Sequence, residues 1–220
     1  MRALFKDRKD AGRQLGLALV DHFARRGDAR GSDARRDDML VLGLARGGVP
    51  VAREVASLLR APLDVLLVRK LGLPKQPEYA MGAIASGGVT VLDDEVIQTM
   101  GVSEQALDAV MARERKELAR REALYRREPS STIEGRTVIL VDDGLATGST
   151  MRAAIASVKR RLARAVVVAV PVAASETCEM IRQEADDVIC LATPEIFRAV
   201  GLWYQDFPQV SDDEVREALA

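Results

Sequence analysis

An α/β fold built on a parallel sheet flanked by helices is what this 220-residue sequence predicts. Apolar runs alternate with amphipathic stretches along the chain, which is the signature of strands separated by helices. The runs at 39–45, 63–69, 137–143, 165–171 and 187–192 are apolar apart from polar residues at or near their ends, which suits strands covered on both faces. Hydrophobic residues make up 48% of the chain and aromatic ones 4%, so Val, Leu, Ile and Ala supply the core, and disorder is excluded.

The elements follow in order. Residues 8–26 read as a helix, with Leu15, Leu19, His22 and Phe23 at spacings of three and four. A polar loop at 27–38 leads to the first strand. After the second strand, Arg69 and Lys70 open a segment with two prolines, Pro74 and Pro77, which reads as a loop continuing past Lys75 to Tyr79. Gly87 and Gly88 mark a hairpin between two short alternating strands. A helix over 103–127 places Leu107, Val110, Met111, Leu118 and Tyr125 on one face behind Ser103 as N-cap, and reads as an outer element or an oligomer contact. A polar linker at 128–135 precedes the third strand.

Composition removes several functions. Thirty-two basic and 33 acidic side chains give a net charge of −1, too balanced for a nonspecific nucleic-acid or anionic-membrane binder. The single histidine, His22, reads as structural and leaves no HExxH site and little room for a His-activated nucleophile. Cys178 and Cys190 read as small buried hydrophobes in a reducing compartment. No apolar stretch approaches 18 residues and the N-terminus has no apolar leader core, so a cytoplasmic location is expected.

The chemistry concentrates in 138–150, where an apolar strand ends on Asp142 and Asp143 and runs through a small-residue loop into a helix. Strand ends of this kind bind ligands in open parallel sheets. Gly144, Ala146, Thr147, Gly148 and Ser149 allow close main-chain approach, and the helix from about Thr150 turns unpaired N–H groups toward a phosphate monoester. Hydroxyls on Thr147, Ser149 and Thr150 add donors. Two carboxylates repel a phosphate but accept from the vicinal hydroxyls of a sugar. Phosphate and diol together spell a ribose 5-phosphate. The rival reading, the acidic strand end of a nucleotide hydrolase, lacks its companion GxxxxGK[ST] loop.

This segment resembles the signature motif of the type I phosphoribosyltransferases, and the chain looks most like a bacterial branch of that family with a helical insertion before the motif. The resemblance implies a Rossmann-like parallel sheet with a small hood, one domain over 1–220 with its core at 39–192, an insertion at 94–130, and the hood at 1–26 and 193–220. It implies binding of 5-phospho-α-D-ribose 1-diphosphate (PRPP), with Asp142 and Asp143 on the ribose hydroxyls, Ala146 to Thr150 around the 5-phosphate, and Mg2+ held mainly by PRPP and water. The turn Gly43-Leu-Ala-Arg46-Gly47-Gly48-Val-Pro50 resembles the family's pyrophosphate loop, with Arg46 as catalytic cation and Gly47 as a contact. The segment from Arg69 and Lys70 resembles its flexible catalytic loop, with Lys75 behind them.

The implied activity is transfer of the phosphoribosyl group to a nitrogenous base or amine with release of pyrophosphate; the alternative is a PRPP-sensing regulator without turnover. A homodimer is the implied assembly, with small-molecule partners and neither nucleic acid nor membrane. Two departures stand out. Members acting on 6-oxopurines carry an acid where this chain has Ala146, which moves the acceptor away from hypoxanthine and guanine. Gly144 is smaller than the branched residue usual after the acids. Phe197, Trp203, Tyr204 and Phe207 read either as a stacking platform for a base or as core.

Overall fold

A computed structural model describes residues 3–25, 38–125 and 131–220, with the Glu78 side chain also left out. The polar stretch at 27–37 and the first part of the 128–135 linker lie outside the described residues.

Five parallel strands form the main sheet: β1 (Met39–Leu44), β2 (Leu63–Leu66), β6 (Thr137–Val141), β7 (Ala165–Val172) and β8 (Asp187–Ala192), in the order β2-β1-β6-β7-β8. Both faces are covered, as their continuous apolar composition requires. On one face lie α1 (Arg8–Arg25) and α2 (Gly48–Leu59), whose Leu15, Leu19, Val51 and Val55 pack with Val41, Ile139 and Val167. On the other lie α5 (Ser149–Arg160) and α6 (Ser175–Arg182), whose Met151, Ile155, Val158 and Ile181 meet Leu42, Leu140 and Val168. Cys178 is free and buried in that second layer, and Cys190 is free and half-buried. His22 pairs with Asp187 at 2.8 Å, which fixes the end of α1 beside the last strand.

The segment after β2 departs from the sequence reading. The apolar run at 63–69 breaks at Leu67, and Val68–Leu73 forms β3 in a separate antiparallel sheet with β4 (Gln76–Ala85) and β5 (Val89–Leu92). The stretch from Leu71 to Tyr79 is therefore paired strand reversing at Pro74 and Lys75, and not an irregular loop. A bulge between Leu71 and Leu73 admits the prolines. The β4–β5 reversal carries Gly87 and Gly88 at positive φ (86° and 78°), as the glycine pair predicts.

Two helices follow, α3 (Asp94–Thr99) and α4 (Glu104–Tyr125). Ser103 Oγ accepts from the Ala106 amide and caps α4. The apolar face of α4 is not simply an outer surface: Val110, Leu118 and Tyr125 join Leu71, Met81 and Ile84 of the second sheet and Val215 of α7 (Asp212–Leu219) in one cluster. Glu114 faces the same way and is 6% exposed. Arg69 of β3 donates to it from Nε (2.9 Å) and Nη2 (2.6 Å), and Arg113 reaches its other oxygen. No helix among the described residues is long and apolar enough to cross a membrane.

Burial raises the Glu114 carboxyl, but the hydrogen bonds and charges of Arg69 and Arg113 outweigh it and leave the pKa below the ordinary 4.5. A lowered folded value means stability present above the unfolded pKa and lost as pH falls through the folded one. Glu114→Gln is expected to cost about 1–3 kcal/mol at pH 7. Urea unfolding of the variant and the parent should converge as the pH falls below 4.5; a cost independent of pH would assign it to packing.

Candidate phosphoribosyl site

Because β1 and β6 are neighbours, with Gly43 opposite Val141, the loops that follow them leave the sheet side by side. The chain turns to β2 on one side and to β7 and β8 on the other, so this is the crevice where an open α/β sheet binds ligands. The first loop carries Arg46 and Gly47 after a cis Ala45–Arg46 peptide. A Cβ on Gly47 would stand 2.0 Å from Asp143 Oδ2, and one on Gly48 would stand 2.5 Å from the Val141 carbonyl oxygen. Only a pair of glycines lets the loops meet.

Asp142 and Asp143 sit at the end of β6. Asp142 Oδ1 accepts from the Asp143 amide at 2.9 Å. Burial pushes the Asp142 carboxyl well above the usual carboxylate range, and the adjacent Asp143 charge adds to this. Burial also pushes Asp143 up, while Arg8 draws it back. Arg8 is a residue that neither sequence motif contains. It opens α1, is 9% exposed, and binds Asp143 Oδ2 from Nε (2.9 Å) and Nη2 (2.8 Å). Its Nη1 donates to the Pro208 carbonyl at 2.7 Å, and its guanidinium lies 3.7 Å from the centre of the Phe207 ring. Tyr204 offers more than its ring: its hydroxyl donates to the Asp143 carbonyl at 2.6 Å.

After the acids the loop is open. Gly144 is small because a Cβ there would meet Val200 Cγ1 at 2.6 Å, which accounts for the missing branched residue. Ala146, Thr147, Ser149 and Thr150 are exposed. Gly148 stands before α5 at φ 72°, with no side chain capping the helix and no acid in its first turn. The first helical bond runs from the Arg152 amide to the Gly148 carbonyl, leaving the preceding amides of the turn for a ligand. Thr147 Oγ1 and Ser149 Oγ lie 3.3 Å apart, and Thr177 of α6 holds the loop from behind by donating to the Ala146 carbonyl at 2.6 Å.

A pocket of about 370 Å3 opens beside the acids, lined by Arg8, Arg46, Gly47, Asp143 and residues 207–210. Arg46 points across it to Asp212 at 3.5 Å, and Asp212 also accepts from the Tyr125 hydroxyl. Arg69 and Lys70 are not in this lining; they lie on β3, with Arg69 held by Glu114. The aromatics pack on one another: Phe5 on Tyr204, Tyr204 on Phe207, and Phe197 on Trp203. With Arg8 over its ring and Tyr204 against it, Phe207 is engaged within the protein, and Trp203 and Tyr204 are buried.

A parallel sheet whose middle strand ends on two acids beside an uncapped helix N-terminus defines a phosphoribosyltransferase-type protein. The chain belongs to that family: the description "Phosphoribosyl transferase domain" matches residues 14–205. It is 46% identical over 213 residues to a protein of Mycobacterium tuberculosis named "Putative phosphoribosyl transferase MT0597" in strain CDC 1551 / Oshkosh, and to its counterpart Rv0571c in strain H37Rv. That likeness covers 96% of this chain, which spans 45% of the length of those relatives. The crystal structure of TT1426 from Thermus thermophilus is similar at a TM-score of 0.80 and 41% identity, over 100% of this chain and 98% of that one.

The contact between the loops gives a test that needs no ligand. Gly48→Ala places a methyl against the backbone of β6, so the strands' ends must part. Urea unfolding is expected to show a loss of about 1–3 kcal/mol, whereas an unchanged midpoint would mean that the loops do not meet as described.

Proposed function

We propose that this chain transfers the 5-phosphoribosyl group from PRPP to a nitrogenous base or amine, releasing pyrophosphate. The carrying observation is the continuity of Asp142 and Asp143 with the open Ala146–Thr150 turn, which offers acceptors for a diol next to donors for a phosphate. In this reading the amides before Arg152, with the hydroxyls of Thr147, Ser149 and Thr150, receive the 5-phosphate. The two carboxylates accept from the ribose hydroxyls and hold C1 toward the pocket. Arg46 and the Gly47 backbone meet the diphosphate across the same pocket.

The reaction breaks the bond from C1 to the diphosphate oxygen as the acceptor nitrogen attacks, so negative charge grows on the leaving group. Arg46 is placed to stabilise that charge, an electrostatic task that asks for no nucleophile of the protein. Lys70 and Arg69 belong to the strand pair beside the site and are the cations proposed to reach the leaving group when the pair moves toward it. Among the described residues no group of three or more His, Cys, Asp or Glu gathers to hold a metal. In this reading magnesium would be held mainly by PRPP and water, with no protein group as its direct ligand, and would supply further charge neutralisation on the diphosphate. Ala146 leaves no side-chain acid to meet a purine N7, which favours adenine, a pyrimidine or an amine over 6-oxopurines. The engaged state of Phe207, Trp203 and Tyr204 favours an acceptor recognised by edges over one stacked between those rings.

The alternative is a PRPP-sensing regulator without turnover, which would use the same acids and turn. Calorimetric titration with PRPP and magnesium, followed by a screen of bases and amines for pyrophosphate release, separates the two: binding without turnover marks the sensor. PRPP at a hundredfold its Kd is expected to stabilise the protein by about 2.7 kcal/mol. Asp143→Asn and Gly148→Val are each expected to abolish that stabilisation, and its persistence in both removes this loop from the site. Lys70→Ala is expected to slow pyrophosphate release about tenfold or more with PRPP affinity within about twofold; equal loss of both would make Lys70 a ground-state contact.

A further inference from the structure

We infer that Arg8 is a positioning residue for Asp143, gripping one carboxylate oxygen with two nitrogens so that the other is presented to the sugar. The inference rests on the phosphoribosyl reading above and extends it to a residue outside both sequence motifs. Nε and Nη2 of Arg8 both reach Oδ2, at 2.9 and 2.8 Å, and no other side chain is bonded to this carboxylate among the described residues. The guanidinium is itself fixed. Its third nitrogen donates to Pro208, its central carbon lies over the Phe207 ring, and only 9% of the residue is exposed. A cation held at three points is a different object from a solvated surface arginine, which gains little from a pair.

The chemistry at β6 asks for such a group. Two adjacent acids are sequestered together, and each works as an acceptor for a hydroxyl best when ionised. The charged and titratable groups facing Asp143 are Arg8 from α1, Asp142 beside it, Tyr204 from the 203–207 segment and Arg46 across the pocket. Of these cations, Arg8 is the one in hydrogen-bond contact with the carboxylate. Burial works against ionisation of both acids and Arg8 works for it. Removing Arg8 raises the pH needed to ionise the pair, so the loss of sugar binding should be largest in acid and shrink as the pH rises. A residue that merely packed α1 against the 207–210 segment would lower affinity equally at every pH.

The test compares PRPP and magnesium binding by calorimetry between pH 5.5 and 8.5 in the wild type, Arg8→Gln and Arg8→Lys, with the melting temperature of each free protein as the folding control. The ratio of variant to wild-type Kd cancels the titration of PRPP itself. For Arg8→Gln the ratio is expected to be about tenfold or more at pH 6 and to fall toward about twofold at pH 8.5. Arg8→Lys keeps the charge but loses the two-nitrogen grip, and is expected to show the wild-type pH profile with affinity down about threefold to tenfold. A ratio for Arg8→Gln that is flat with pH, or Arg8→Lys binding as tightly as wild type, overturns the inference. Should Arg8→Gln fail to fold, the Arg8→Lys arm decides. A wild-type protein that does not bind PRPP overturns the phosphoribosyl reading and this inference with it.

Discussion

The loops after β1 and β6 touch with no side chain contributed by the first, and the candidate site exists because of that contact. Gly47 lies against the Asp143 carboxylate and Gly48 against the carbonyl of Val141. These segments are far apart along the chain, but the strand order makes them neighbours and the two glycines let them close to backbone distance. A side chain at either position would wedge the crevice open between the two loops. Helices press the sheet from both faces, residues 4–6 bond with 203–206, and 207–210 line the pocket beside the crevice.

Electrostatics at the crevice is organised by pairs in a chain of almost no net charge. Asp143 is met by Arg8, and Arg46 is met by Asp212, whose carboxyl is held below its ordinary range by the hydrogen bond from Tyr125 and the charge of Arg46. Tyr125 ends α4, so the helical insertion touches the first loop through Asp212. Its hydroxyl is correspondingly pushed up to about 12, by burial first and by Asp212 second. The insertion is thus joined to the neighbourhood of the site through a carboxylate on α7.

Much of this was legible in the sequence, because it is written in local patterns. The five core strands are continuous apolar runs, and their ends fall within a few residues of expectation at every strand except β2. The β6 segment showed its acids, small loop and helix start in order, and Ser103 capped the helix it was expected to cap. What was not legible depends on partners far away in sequence. Pro74 and Pro77 mark a loop by composition, yet the segment pairs with itself because Leu71 and Met81 have a cluster to enter on α4. Arg69 was legible as a cation next to Lys70, but its partner was not, because Glu114 lies 45 residues on and its burial shows only in the packed fold. Arg8 carried no signal at all: its partners are 135 and 200 residues away.

That last separation bears on how the protein assembles. The turn after β6 is made from one continuous segment, whereas the wall formed by Arg8, Pro208 and Phe207 joins residues from the two ends of the described fold, with Phe5 bridged to Tyr204 alongside. Contacts of such long range carry the largest loop-closure cost and form late. During synthesis Arg8 and the acids at β6 both emerge before residues 207 and 208, so the partners of Asp143 exist before the two contacts that fix the Arg8 guanidinium. The fixed grip on Asp143 would then be completed only once the segment carrying Phe207 and Pro208 has docked.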